Sequence, residues 1–310
     1  MLFRKACIPF LVLLFLLVAA AYAEVLMPHV EEIAEEDPAK PTPKMNASPV
    51  FDAGQKTMPQ PSLPAQVVEE SEYARVNWTE GYVEATGQAV VPKGRENTPQ
   101  GKLLARRGAV VDLQRNLLES IQGVRVDSRT TMTDFMASDV VKTEVQGLIK
   151  AVEIKEGSWD GETYTVKGRV KLEKIREAVL PALQQQPGKK AVPAHKPKGG
   201  GASGLLVDVR HLPLIPALIF RILDENGKEV YGLDFVDQER FLSSGLCDYH
   251  TELGYARDAP RIAVSPLVIK AVRTVSPENV DMVISNGDAA RIRGNSYDFR
   301  IPCKVTVVKR

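Results

Sequence analysis

The sequence predicts an α+β protein, with a small antiparallel sheet packed against helices followed by a mainly antiparallel, β-rich C-terminal domain. Three observations carry that expectation. A sustained 3.6-residue apolar pattern over 99–123 reads as one long amphipathic helix. Alternation over 163–170 beside an Asp-Gly pair reads as a hairpin. Short apolar runs separated by turn residues fill 205–310. With 44% hydrophobic and 25% charged residues, 310 positions suffice for two modest domains.

The chain opens with Arg4 and Lys5, an apolar run from Cys7 to Ala20, and Ala21-Tyr22-Ala23 before Glu24. This is the three-part pattern of a secretory signal peptide, 1–23, cleaved after Ala23. The apolar run is interrupted by Pro9 and is short for a spanning helix, and no cysteine follows it to be lipidated, so stable membrane insertion after cleavage is not expected. Losing Arg4 and Lys5 takes the formal charge from +1 to about −1, and such a balance offers no basic field for nucleic acid.

Residues 24–71 are rich in proline (Pro38, Pro41, Pro43) and acid (Glu35, Glu36, Asp37) without periodicity, and are expected to form a disordered tether. The first folded unit is expected at 72–183. Val76 to Val91 has a strand pattern interrupted by Gly81 and Gly87. Thr98-Pro99 supplies an N-cap and a proline at the first helical position, and Gly123 offers a stop. Ala105, Gly108 and Ala109 are small enough to let that helix approach a sheet closely. A second helix is expected from Ser138 to Ile149, with Met132, Phe135 and Met136 before it as packing residues. A hairpin then pairs Ala151–Glu156 with Thr163–Val170 around Asp160-Gly161, and a terminal helix follows to Leu183.

Residues 184–204 read as a flexible linker, through Gln184-Gln185-Gln186-Pro187, Lys196-Pro197-Lys198 and Gly199-Gly200-Gly201. Gly199, Gly201 and Gly204 match G-x-G-x-x-G literally, but no strand precedes them and no helix follows, so no dinucleotide site and no cofactor is expected.

In 205–310, strands are expected at Leu205–Val209, Ala217–Leu223, Glu229–Tyr231, Leu267–Val272, Val280–Ser285 and Tyr297–Val308. Asp224–Gly227 and Asn286-Gly287-Asp288 read as turns, and 232–260 as irregular. Along the last strand Phe299, Ile301, Cys303, Val305 and Val307 would share one face. Cys247 and Cys303 are the cysteines left after processing. In an oxidising compartment such a pair suggests a disulfide, which over a loop of about 57 residues would contribute about 4 kcal/mol by chain entropy. The alternative is two buried free thiols.

Chemistry is sparse. His29, His195, His211 and His250 are scattered without zinc or H-E-x-x-H spacing, so no metal site is expected. Asp248, His250 and Glu252 are close enough in sequence to form an acid–base cluster, and a polar surface loop explains them equally.

Tyr82–Ala89, the Pro99 helix with Ala105–Asp112, and Val152–Val170 with its hairpin together resemble a domain shared by two bacterial envelope groups. These are a family of twenty-kilodalton outer-membrane lipoproteins and the N-terminal part of flagellar assembly protein T, a periplasmic basal-body component. The resemblance covers 72–183. It implies a periplasmic, non-enzymatic structural or assembly protein, with envelope or flagellar basal-body proteins, or a second copy of the chain, as partners. The family's acylated cysteine has no counterpart here, and it supplies no catalytic residue. The alternatives are an envelope enzyme built on Asp248 and His250, or a ligand-binding envelope sensor.

Overall fold

Helix packing on a glycine-bearing strand organises the N-terminal half. The computed structural model describes residues 65–185, 195, 197–262 and 264–310. The expected signal peptide and most of the tether lie outside them, as does much of the linker. Strands β1 (Val68–Glu70), β2 (Ala74–Asn77), β3 (Tyr82–Val90), β4 (Glu153–Trp159) and β5 (Thr163–Lys171) form one sheet. Its order is β1-β2-β3-β5-β4, and every pairing is antiparallel.

Helix α1 (Pro99–Gly123) starts where expected: the Thr98 hydroxyl accepts from the Gly101 N–H at 3.0 Å. Its buried positions, Gly101, Ala105, Ala109, Leu113, Leu117 and Ile121, recur every four residues and grade from small to large. The small end presses on β3, and a Cβ placed on Gly87 would stand 2.1 Å from the Leu113 nitrogen and 2.2 Å from the Ala109 oxygen. Gly87 is therefore a contact that only a bare backbone permits. Helices α2 (Met132–Phe135) and α3 (Asp139–Lys150) continue the layer, with Met132 and Phe135 buried as expected. At the β4–β5 turn Gly161 takes φ 110° and the Asp160 carboxylate accepts from the Glu162 and Thr163 N–H groups. Helix α4 (Leu172–Gln185) closes the lobe.

The C-terminal lobe is β-rich, but the expected antiparallel pairing is corrected. Strands β6 (Leu205–Asp208), β9 (Asp248–His250), β10 (Leu267–Lys270) and β13 (Val305–Val308) form a sheet of order β10-β6-β13-β9 in which every pairing is parallel. The physical reason lies in burial. Leu205-Leu206-Val207 and Val305-Thr306-Val307-Val308 are buried on both faces, so they are continuous rather than alternating runs, as parallel strands require. A second sheet, of order β11-β12-β7-β8, is mixed. It consists of β7 (Ile222–Asp224), β8 (Glu229–Tyr231), β11 (Arg273–Thr274) and β12 (Met282–Ile284), with β12 and β7 parallel.

Three further expectations change. The region read as irregular holds α5 (Gln238–Ser244), β9 and α6 (Leu253–Arg257). Asn286–Asp288 is the first turn of α7 (Asn286–Arg293), because the Ser285 hydroxyl accepts from the Asp288 N–H at 3.0 Å and caps a helix. The last strand is only Val305–Val308: Cys303 takes φ 55° after Pro302, and Ile301 is half exposed, so the shared face begins at Val305.

The described residues all fall in one compact unit. The expected boundary at 184–204 coincides with a change of sheet but not with a break in the core, since one hydrophobic cluster runs from Leu113 and Ile175 through Phe220 and Tyr231 to Val305. The end of the expected linker is tied down as well. Lys198 N–H donates to the Gly294 carbonyl at 2.9 Å, Ser296 N–H to the Gly200 carbonyl at 3.0 Å, and His195 Nε2 donates to the Asn295 carbonyl at 2.7 Å.

Candidate functional site

The lobes meet along α4 and the segment 217–221, and polar bonds fix the join. Leu218 and Ile219 N–H groups donate to the Arg125 and Val126 carbonyls at 3.1 and 2.8 Å. The Thr79 hydroxyl donates to the Tyr249 carbonyl at 2.9 Å, and the Trp78 and Tyr249 rings meet edge to face at 5.9 Å. Two clefts open on this seam. The first, about 490 Å³, has apolar walls from Leu180, Ile219, Leu233 and Phe241, with Arg221 and Asp281 in a two-point ion pair at its edge. The second, about 470 Å³, lies between the Trp78–Tyr82 turn, the start of α4 and the Ser243–Tyr249 segment.

Arg176 is the unusual member of the second cleft. It is only 8% exposed, and its Nε and Nη2 donate to the Leu242 and Ser243 carbonyls at 2.9 and 3.3 Å, at the C-terminal end of α5. Burial lowers its pKa to about 10, which leaves it cationic at neutral pH. Arg261 joins it there, donating to the Ser244, Gly245 and Cys303 carbonyls and pairing with Asp248 at 3.0 Å. Two guanidinium groups thus sit where the α5 dipole is negative.

The acid–base cluster foreseen at Asp248, His250 and Glu252 is not assembled. Asp248 and His250 alternate with buried Tyr249 along β9, but the Asp248 carboxylate is committed to Arg261. His250 Nε2 is buried without a hydrogen-bond partner, its ring rests edge-on against Tyr255 at 5.4 Å, and burial lowers its pKa. Glu252 sits at the start of α6. His195 contacts Asp298 at 3.4 Å and faces Arg300, which grips Asp298 with two bonds. This cluster ties down the linker end. Among the described residues no group of three or more His, Cys, Asp or Glu side chains could hold a metal ion, and no helix is long and apolar enough to cross a membrane.

Cys247 and Cys303 are free thiols, so the expected bridge is not formed here. Each lies against a tyrosine hydroxyl, Cys247 against Tyr249 and Cys303 against Tyr231, and burial raises both thiol pKa values. Cys303 takes φ 55° and lies before the last strand, which begins at Val305.

Arg176 escaped the sequence reading because it stands in the polar run Glu173-Lys174-Ile175-Arg176-Glu177. The available signal was its position: 176 falls on the apolar stripe of Leu172, Ile175 and Val179, where a charge must be buried.

Residues 204–309 match the family model described as Treponema pallidum Tp0624, second domain. The match begins one residue before β6 and ends one residue past β13, so it frames the C-terminal lobe. It does not reach 72–183. No curated protein matches the chain.

Proposed function

We propose that this chain is an exported, non-enzymatic cell-envelope protein that acts by binding, as a structural or assembly factor of the periplasm. The observation that carries the reading is the join of the two lobes into one core. A single body with built clefts on its seam suits a docking part better than a hinged enzyme or sensor. The signal-like N-terminus and the resemblance of 72–183 to periplasmic domains support the compartment. The ion pair of Asp248 with Arg261 supports the non-enzymatic reading over the acid–base alternative.

Flagellar basal-body ring assembly is the most specific form of this proposal, and it comes from the resemblance alone. The test is crosslinking in cells followed by capture through a tag after Arg310, which is exposed. A tag between Gly200 and Gly201 would disturb the bond from Ser296. Ring proteins in the capture support the flagellar form. Wall or outer-membrane proteins without flagellar ones support a general envelope role and end the flagellar form. Activity that depends on His250 would overturn the non-enzymatic reading.

A further inference from the structure

A buried cation usually faces a carboxylate. Arg176 does not: among the described residues its bonds go to two backbone carbonyls, and its Nη1 has no hydrogen-bond partner. Gly245 keeps that nitrogen uncovered. Its φ of 71° favours glycine, and a Cβ there would stand 3.2 Å from Nη1. The same cleft receives Lys171, exposed and among the described residues without a salt bridge, though Glu153 lies near enough to feel its charge, while Arg169 is matched by Glu84, Lys155 by Glu153 and Arg261 by Asp248. Glu173, one turn back on α4, also lines the cleft and lends Arg176 some attraction without pairing with it.

We propose that the inner end of this cleft is an oxyanion site, in which the carboxylate or phosphate group of a small ligand accepts from Arg176 Nη1 with Lys171 guarding the entrance. A guanidinium is suited to this role because its planar donors match an oxyanion, and the half-closed cleft weakens screening by water. The carbonyls of α5 stabilise the charge but leave one edge of the guanidinium unused. Gly81, Trp78 and Tyr82 supply a wall from the other lobe, so a ligand would touch both lobes. The site goes beyond the envelope reading and does not depend on which proteins are captured.

The test is titration calorimetry on the purified chain at low salt. The probes are inorganic phosphate, N-acetyl-alanyl-alanine with a free carboxyl, and the same peptide as its amide. Binding of the free acid but not the amide, without competition from phosphate, assigns a carboxylate. Binding of phosphate, with displacement of the peptide, assigns a phosphate group. Lys171→Glu should weaken either by tenfold or more, and Arg176→Met should abolish it. No binding of the free acid or of phosphate at about 10 mM, far above the range of a useful site, overturns the proposal. Unchanged affinity in a folded Arg176→Met variant overturns it as well. If that variant does not melt cooperatively, unchanged affinity in Lys171→Glu, which replaces an exposed side chain, is decisive.

Discussion

Adding one methyl group at Gly87 tests how the N-terminal lobe is built. In Gly87→Ala the new Cβ meets the Leu113 nitrogen at 2.1 Å, the Ala109 oxygen at 2.2 Å and the Leu113 Cα at 2.6 Å. All three are backbone atoms of α1, so no side-chain rotation relieves the clash. The helix must lift off β3 by about 1 Å, the difference from an ordinary heavy-atom contact of about 3.5 Å being shared with the strand. Overpacking of this kind costs about 1–3 kcal/mol, and contact with rigid backbone puts Gly87→Ala at the upper end. For a folded unit of this size about 3 kcal/mol lowers the melting temperature by about 6–12 °C. Gly147→Ala is the matched control: it lies inside α3, nothing stands within 4 Å of its Cβ, and it should stabilise by about 0.5–1 kcal/mol through helix propensity. Denaturant unfolding followed by circular dichroism gives both values. Equal midpoints for Gly87→Ala and the parent chain would refute the close packing of α1 on β3.

Three more outcomes follow from the C-terminal lobe. Ser285→Ala removes the cap of α7 and should cost about 0.5–2 kcal/mol in the same unfolding assay, with Ser285→Thr, which keeps the hydroxyl that accepts from the Asp288 N–H and donates to its carboxylate, close to neutral. Burial depresses the His250 pKa, so stability from its neutral form is complete above the unfolded value near 6.5 and is lost as pH falls from there through the lower folded value. His250→Phe should therefore flatten the drop in unfolding midpoint between about pH 7.5 and pH 5, and an unchanged drop would point to another group. Cys247 and Cys303 should resist a maleimide in the folded protein, because burial keeps both thiols protonated, and should take up two labels once unfolded without reductant. Blocked sulfurs in the unfolded protein would restore the disulfide.

Local signals were legible wherever one element's chemistry is self-contained. Thr98-Pro99 announced α1, its small residues announced the approach to β3, and Asp160-Gly161 announced the β4–β5 turn. Pairing sense in the second lobe was not legible in the same way. The apolar run Leu205-Leu206-Val207 is compatible with any fully buried strand, and only the neighbours at Leu267 and Val305, about 60 and 100 residues on, decide that it is parallel. Ser285-Asn286-Gly287-Asp288 carries turn residues and a helix cap in the same four positions, and only Ala289 and Ile292 mark the buried side of α7. The linker was read from composition, which records proline and glycine but not that Asn295 and Ser296 wait to bond its end. Of the second cleft, Asp248 stood out as a polar candidate, but neither the strand that carries it nor the central cation was legible. Arg176 draws its meaning from carbonyls 66 and 67 residues away.

The union of the lobes in one core is the claim on which the docking reading rests, and hydrogen exchange measures it directly. Trp78 and Trp159 both lie in the first lobe, so fluorescence alone would report only half of the molecule. Amide exchange should be followed for the paired residues of β3 and of β13 across a denaturant series. A shared core predicts that both sets converge on one opening free energy with one denaturant slope. Exchange of β13 through an opening markedly cheaper than that of β3, with a smaller slope, would show the C-terminal lobe unfolding alone and would contradict the single body.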